Sequence, residues 1–179
     1  MMDGFRVESP EVLYTKGDVA ILTLEDAELL KSKASGNERK RMRVCTHASH
    51  LDPLHEMLIC LGRGSYIQPH RHVGKSESFH MVEGLLSVVL FTHDGKVSQV
   101  ITLGGYASGY PFYYRLSSSL FHTVVIHSET AVFHEVTNGP FKPGQTEYPS
   151  WAPHPDDLQN AGKFLQQLIG SACPSPLIP

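Results

Sequence analysis

A short segment between Gly64 and Gly84 constrains the fold of this chain more than any other part of the sequence. In it, His70 and His72 stand two positions apart, and Glu77 follows five positions after His72. Residues two positions apart in an extended strand point to the same face of a sheet. The two imidazoles therefore project side by side, and a carboxylate on the next strand can reach the same point. This pattern predicts a metal site built on β-strands.

The sequence from residue 41 to residue 136 has the pattern of a β-protein. Short apolar or alternating runs follow one another, and turn signals separate them every 8–12 residues or so, which favours a sandwich or a small barrel. The predicted strands are 41–45, 54–61, 66–72, 78–82, 85–91, 97–102, 112–116, 122–126 and 131–136.

The N-terminal residues are predicted to form one strand and one helix. The apolar run 19–22 is the predicted first strand. Thr23 has the properties of a helix N-cap, with Asp26 three positions later, and Gly36 is predicted to end that helix.

The composition changes after residue 138. Residues 141–155 are rich in proline and include Tyr148 and Trp151. We predict an ordered arm that packs on the barrel or on a partner subunit, because its aromatic side chains would be costly to leave in water. A last helix is predicted at about 155–169. The predicted organisation is an N-terminal strand and helix in 1–40, a barrel in 41–137, and the arm, helix and tail in 138–179.

Charge and cysteine content exclude several classes of protein. The chain has 15 Lys and Arg and 18 Asp and Glu, a net charge of −3, which gives a nucleic-acid partner no electrostatic support. We expect no signal peptide in residues 1–10 and no membrane partner, because no run approaches the ~20 apolar residues that span a bilayer. The three cysteines, Cys45, Cys60 and Cys173, have no paired spacing and predict reduced thiols in a cytoplasmic protein.

The donor types at the predicted site suit one divalent transition metal. Imidazole and carboxylate groups on rigid strands bind zinc, iron, manganese or nickel, and the sequence leaves the choice among them open. Strand parity places Phe79 and Met81 on the same side as Glu77 and directs His80 to the opposite face. We therefore exclude His80 from the metal ligands.

The full spacing extends the pattern: a glycine, five residues, His-x-His, four residues, a glutamate, six residues and a glycine. This resembles the first conserved motif of the cupins. The resemblance implies an all-β fold, a single-domain double-stranded β-helix of the jelly-roll kind, here with a short N-terminal helix and a C-terminal helix. It also implies that His70, His72 and Glu77 hold a metal, with a fourth ligand from a second motif.

The second cupin motif usually has a proline and a glycine shortly before its histidine. In this chain Ser117 and Ser119 occupy that stretch, and His122 opens an apolar strand. We assign His122 as the fourth ligand. His127 is the competitor, but its odd offset turns it to the opposite face of a regular strand.

Flanking residues make the resemblance closer. The chain is similar, over residues 41–153, to the WbuC family of cupin-fold metalloproteins, whose members are associated with bacterial surface-polysaccharide gene clusters. The residues that carry this similarity are Arg41-Met-Arg with His47, His55-Glu-Met, Tyr66-x-x-Pro-His-Arg-His-x-x-Lys-Ser-Glu, Phe121-His-Thr, Glu135-Val-x-Asn-Gly-Pro and Trp151-Ala-Pro.

Three functions are compatible with these features. The first is a metal-dependent enzyme that isomerises or epimerises a sugar or sugar nucleotide, and the others are a non-catalytic saccharide-binding or sensing module and a non-haem iron oxygenase. The first needs a base, for which His55, Tyr66 and Glu56 are candidates. The candidate substrate contacts are Arg41, Arg43, Gln68 and Lys75.

Two further expectations concern the surface. His47, His50 and His55 form a second histidine group, which we interpret as surface residues rather than a second metal site. A homodimer is expected, because barrels of this size often pair to bury an edge.

Overall fold

The computed structural model describes residues 4–142 and 144–172, so Cys173, Pro143 and the predicted tail lie outside the described residues. The described part contains two α-helices, α1 (Leu24–Ser35) and α2 (Leu158–Ser171), and a 3₁₀ helix (Tyr106–Ser108). Its strands are β1 (Phe5–Ser9), β2 (Val12–Thr15), β3 (Arg41–Cys45), β4 (Leu54–Gly62), β5 (Arg71–His72), β6 (Glu77–Glu83), β7 (Leu85–Phe91), β8 (Val97–Gly104), β9 (Tyr113–Leu116), β10 (Phe121–Ile126), β11 (Thr130–Asn138) and β12 (Thr146–Glu147).

Strands β4 to β11 form a jelly roll. One sheet contains β4, β11, β6 and β9 side by side, and the other contains β10, β7 and β8. Strand β5 joins this second sheet through a backbone bridge between His70 and His122, in which each amide donates to the other residue's carbonyl. Apart from the β7–β8 hairpin, consecutive strands thus alternate between two sheets, as in a jelly roll. The predicted all-β jelly-roll fold is confirmed.

The start of the chain differs from the prediction. Residues 19–22 form no strand, and Val19 and Ile21 are each 75% exposed. Instead β1 and β2 pair with each other, and β2 extends the larger sheet by pairing in parallel with β3. Phe5 of β1 and Leu13 of β2 are buried in this position. The apolar run 19–22 forms no strand because it pairs with no neighbouring strand.

The larger sheet is covered on both faces. Its inner face meets the second sheet in a core that includes Phe79, Met81 and Phe133. Its outer face buries β3, β4 and β11 side chains beneath Leu30 and Ala34 of α1. This helix begins at the predicted N-cap, where Thr23 and Asp26 form a reciprocal capping box, and it ends at Gly36.

The part of the arm around Trp151 lies against the second sheet next to α2. Trp151 packs on Phe91 and Phe121, and its Nε1 donates to His93 O at 3.1 Å. Helix α2 buries Leu165 and Leu168 against the same surface. Among the described residues, neither helix combines the length and the apolar character needed to cross a bilayer.

Candidate metal centre

The structure brings the four predicted ligands together at one end of the barrel. His70 and His72 lie at β5, Glu77 begins β6, and His122 lies in β10. One nitrogen from each histidine lies within 4.8 Å of the others, a group that could hold a metal ion. The Glu77 carboxylate reaches the same place, with Oε1 at 2.9 Å from His122 Nε2 and Oε2 at 3.5 Å from His72 Nε2.

Each imidazole is oriented by a contact on its far side. The Nδ1 atoms of His70 and His122 lie 2.9 Å from the carbonyl oxygens of Gln68 and Leu120, respectively. A carbonyl only accepts, so Nδ1 carries the hydrogen and Nε2 keeps its lone pair. Proteins commonly use such contacts to fix the tautomer of metal-binding histidines.

Two buried atoms at the centre lack hydrogen-bond partners. His122 Nε2 and Glu77 Oε1 approach to 2.9 Å without the alignment of a hydrogen bond, and neither finds another partner. Both residues are nearly inaccessible, with 2% and 3% of their surface exposed. Unpaired buried polar atoms are rare in folded proteins, and a cation between these two would satisfy both. The donors present therefore fit a divalent transition metal.

The electrostatics of Glu77 and His70 favour the forms that a metal needs, whereas Glu77 makes His122 hold its proton more strongly, so a metal must displace that proton. Burial raises the pKa of Glu77, but His122 and His72 outweigh burial, so the pKa of this carboxyl lies below its usual range. Burial and the neighbouring His122 lower the pKa of His70 to about 4. Burial alone would lower the pKa of His122, but Glu77 outweighs it and raises that pKa. Glu77 thus carries a negative charge and His70 is neutral, as metal ligation requires.

A cavity of about 340 Å³ opens from the metal centre. Part of its wall is apolar and includes Ile59, Phe79 and Phe133. Its polar wall outside the four ligands consists of Glu11, Arg41, Arg43, Thr123, Glu135, Thr146 and Tyr148. The cavity therefore has room for a small molecule and offers both charges and hydrogen-bonding groups beside the metal ligands.

The two predicted arginines both line this cavity but are not equivalent. Arg41 Nε lies 2.7 Å from Glu11 Oε2, and Arg39 Nε lies 3.1 Å from the other oxygen of Glu11. Arg43 is exposed to the cavity and forms no ion pair within residues 4–142 and 144–172. The charge of Arg41 is thus engaged in an ion pair with Glu11, and Arg43 keeps its charge available for a ligand.

Several predicted site residues lie away from the cavity. The Tyr66 hydroxyl donates to Pro153 O at 2.8 Å and its ring packs on Phe164, so Tyr66 belongs to the core beneath α2. Gln68 Nε2 faces Ala152 O at 3.4 Å. Lys75 donates to Pro140 O at 3.1 Å.

The other catalytic candidate, His55, is also outside the cavity. It is buried and stacks on His47, with ring centroids 4.2 Å apart and planes 5° apart. The prediction that these two histidines lie at the surface was wrong, since both are buried. Gly139 packs closely on the His55 ring, where an added Cβ would lie only 2.8 Å away. His50 is exposed, as expected.

The two excluded histidines occupy other environments. His80 Nε2 lies 3.0 Å from the Tyr106 hydroxyl on the outer face of β6. His127 Nε2 lies 2.8 Å from Ser87 Oγ, and its amide donates to Leu85 O. Neither belongs to the group that could hold a metal.

Sequence reasoning missed five polar residues of the cavity wall: Glu11, Thr123, Glu135, Thr146 and Tyr148. Glu135 shares a strand face with Phe133, so parity within β11 could have placed it in the barrel interior. Burial and the negative charge of Glu77 raise the pKa of Glu135 to about 8. Thr146 and Tyr148 come from the arm, and no local pattern indicates that this segment reaches the metal centre.

Comparisons with known proteins concern parts of the chain. A family model described as a domain of unknown function (DUF6016) matches residues 22–103, slightly less than half of the chain. No curated protein sequence gives a significant match.

Solved structures with similar folds include three from different organisms. A protein of Shewanella oneidensis has a TM-score of 0.49 and 12% identity, over 73% of this chain and 81% of that one. An oxalate decarboxylase of Bacillus subtilis has a TM-score of 0.43 and 21% identity, over 54% of this chain and 24% of that one. The cupin domain of Schizosaccharomyces pombe Cnp3 has a TM-score of 0.43 and 6% identity, over 55% of this chain and 64% of that one.

This chain thus spans about a quarter of the length of the decarboxylase. Since all three TM-scores lie below 0.5, the fold assignment rests on the strand order of the chain itself. That order is the jelly roll expected of a cupin, whereas membership of the WbuC family stays a prediction.

Proposed function

We propose that this protein binds one divalent transition metal through His70, His72, Glu77 and His122 and is an enzyme acting on a small, anionic, oxygen-rich molecule such as a sugar derivative. The observation that supports this most is the convergence of three imidazoles and a buried carboxylate beside a cavity that also contains Arg43 and Glu135. A purely structural metal would need no such cavity.

Arg43, which forms no ion pair in the part of the chain that the structure describes, provides the anchor for the substrate. A guanidinium binds carboxylate or phosphate groups with two parallel hydrogen bonds. Glu11 pairs with Arg41, whereas Arg43 has no carboxylate at ion-pair distance within residues 4–142 and 144–172. We therefore propose that Arg43 binds the anionic group and sets the distance between that group and the metal centre.

Glu135 replaces His55 and Tyr66 as the proposed proton-transfer group. Glu135 on β11 pairs with Phe79 of β6, and Phe79 lies on the same face of β6 as Glu77, two positions later. The Glu135 carboxyl therefore faces the same cavity. In its ionised form, Glu135 would take a proton from the carbon beside a substrate carbonyl and return it to the former carbonyl carbon, while the hydroxyl proton of the first carbon passes to the former carbonyl oxygen, which isomerises the molecule. A bound metal supplies Lewis-acid stabilisation of the negative charge that develops on the substrate oxygen.

The first test is the metal content of the purified protein by elemental mass spectrometry, with His72→Ala as the control. We expect about one metal per chain in the native protein and a large loss in the variant. Equal metal content in both proteins would contradict the proposed centre.

The second test measures deuterium uptake from heavy water into a panel of aldose and ketose phosphates by NMR. We expect uptake beside the carbonyl with the native protein and little with Glu135→Gln, while the variant keeps its metal. Binding of a panel member without uptake would favour a saccharide-binding module instead. The link to polysaccharide biosynthesis, the homodimer and the cytoplasmic location stay predictions.

A further inference from the structure

The three imidazoles of the metal centre are not oriented by the same kind of partner. His70 and His122 use carbonyls two positions earlier in their own segments. His72 instead has Nδ1 3.2 Å from the hydroxyl of Thr146, which is 74 positions away on the arm. The His72 side chain is 22% exposed and that of His122 only 2%, so packing restrains His72 less.

The arm contacts the barrel at this point through a very short pairing. Strand β12 pairs with β5 over two residues, Thr146 with His72 and Glu147 with Arg71. The Val73 amide donates to Gln145 O at 2.9 Å, and Arg71 Nε lies 2.7 Å from Glu147 Oε2. A two-residue strand gives little stability by itself, so the side-chain contacts of Thr146 and Glu147 supplement the pairing.

We infer that Thr146 is a positioning residue for His72, so that docking of the arm and binding of a metal stabilise each other. The inference rests on the proposed metal centre. When Nδ1 of His72 donates a hydrogen bond to the Thr146 hydroxyl, the ring is held with Nε2 toward Glu77. This hydrogen bond also makes the lone pair of Nε2 a stronger ligand for a metal. Because Tyr148 and Thr146 both line the cavity, the same docking also completes the cavity wall.

The test compares zinc affinities by competition with a chromophoric chelator. Thr146→Val keeps the shape of the side chain and removes the hydroxyl, and we expect zinc to bind about 10-fold more weakly. Thr146→Ser restores the hydroxyl and is expected to bind zinc nearly as the native protein does. Thr46→Val is the matched control, since Thr46 donates to Glu56 O at 3.1 Å, away from the metal centre.

A second measurement does not depend on the variant's zinc affinity alone. The Val73 amide reports arm docking, because its hydrogen-bond acceptor is in the arm. If docking of the arm raises the affinity for zinc, then zinc must stabilise docking by the same free energy. Zinc should therefore slow the exchange of this amide with solvent deuterium. We expect slower exchange with zinc in the native protein and a smaller effect in Thr146→Val.

The outcomes separate the inference from the proposed function. If zinc binds the native protein and Thr146→Val equally well, the inference is wrong and the metal centre stands. If the native protein binds no zinc, both are wrong. Weaker binding in Thr146→Ser as well as in Thr146→Val would also overturn the inference, because the hydroxyl would then have no role.

Discussion

At the scale of single residues, Glu77 is the side chain with the most unusual surroundings. It is a buried carboxylate with two histidine nitrogens within 3.5 Å and with an oxygen that has no hydrogen-bond partner. Charge is costly to bury unless it is paired. The negative charge of Glu77 therefore requires a positive partner. A metal centre supplies one, whereas an apolar barrel core does not.

The first prediction concerns that charge. Glu77→Gln keeps the size of the side chain and removes its negative charge, so metal affinity should fall by 10-fold or more, as for the loss of other site partners. Glu83→Gln is the control, because Glu83 ends the same strand and only pairs with Lys31 at the surface. Chelator competition measures both variants, and equal losses would argue against a role for Glu77 as a ligand.

The second prediction concerns the buried histidine pair. Burial, and then the neighbouring His47, lower the pKa of His55 below its ordinary value. The unfolded chain therefore takes up a proton at a higher pH than the folded chain does. Stability is lost as the pH falls from about 6.5 toward the lowered pKa of the folded state.

Removing the titrating group should remove this loss. In the presence of a chelator, His55→Gln should lose less free energy of unfolding than the native protein between roughly pH 7.5 and pH 5.5. Urea unfolding at both pH values measures the difference. The exposed His50→Gln should behave as the native protein does, and a similar change in both variants would refute the assignment to His55.

At the scale of elements, the turn between β6 and β7 depends on one glycine. Gly84 has a φ of +82°, and a Cβ there would lie 2.3 Å from Thr130 O and 2.9 Å from Ala131 Cα. Both atoms belong to the backbone of β11 and cannot move away cheaply. The last glycine of the histidine motif is therefore required by the close approach of two strands.

The third prediction follows from this contact. Gly84→Ala should lower the free energy of unfolding by more than ~2 kcal/mol, since it adds a clash to the cost of a left-handed backbone. Gly74→Ala is the control: its φ is +70° and nothing lies within 4 Å of the added Cβ. Chemical denaturation should show a clearly smaller loss for Gly74→Ala, and equal losses would mean that the contact with β11 contributes nothing.

At the scale of the whole molecule, the metal centre joins segments that are distant in the chain. Its ligands come from β5, β6 and β10, and Thr146 adds the arm. A ligand that binds only the folded state stabilises it by mass action. A metal at this site should therefore stabilise the entire barrel.

The fourth prediction is a metal-dependent melting temperature. Zinc at about 100 times its Kd should add about 2.7 kcal/mol to the free energy of unfolding, and a chelator should reverse the effect. Differential scanning calorimetry of the native protein and His72→Ala measures this, with no zinc-dependent shift expected in the variant. A shift of the same size in both would place the zinc elsewhere.

The sequence by itself determined the local features. Strand parity placed Glu77 with Phe79 and Met81 and turned His80 outward, and the capping pair of α1 was readable because it involves neighbouring residues. The His-x-His pair was also predictable, since the geometry of an extended chain sets the relation between positions 70 and 72. Periodicity and capping depend only on residues a few positions apart.

Only the tertiary structure decided which distant residues meet. His122 faces His70 because a backbone bridge joins their segments, and Thr146 reaches His72 because the arm adds a strand there. The same long-range packing places His55 and Tyr66 outside the cavity. Such contacts depend on how the sheets and the arm pack together, and no local pattern along the chain records that packing.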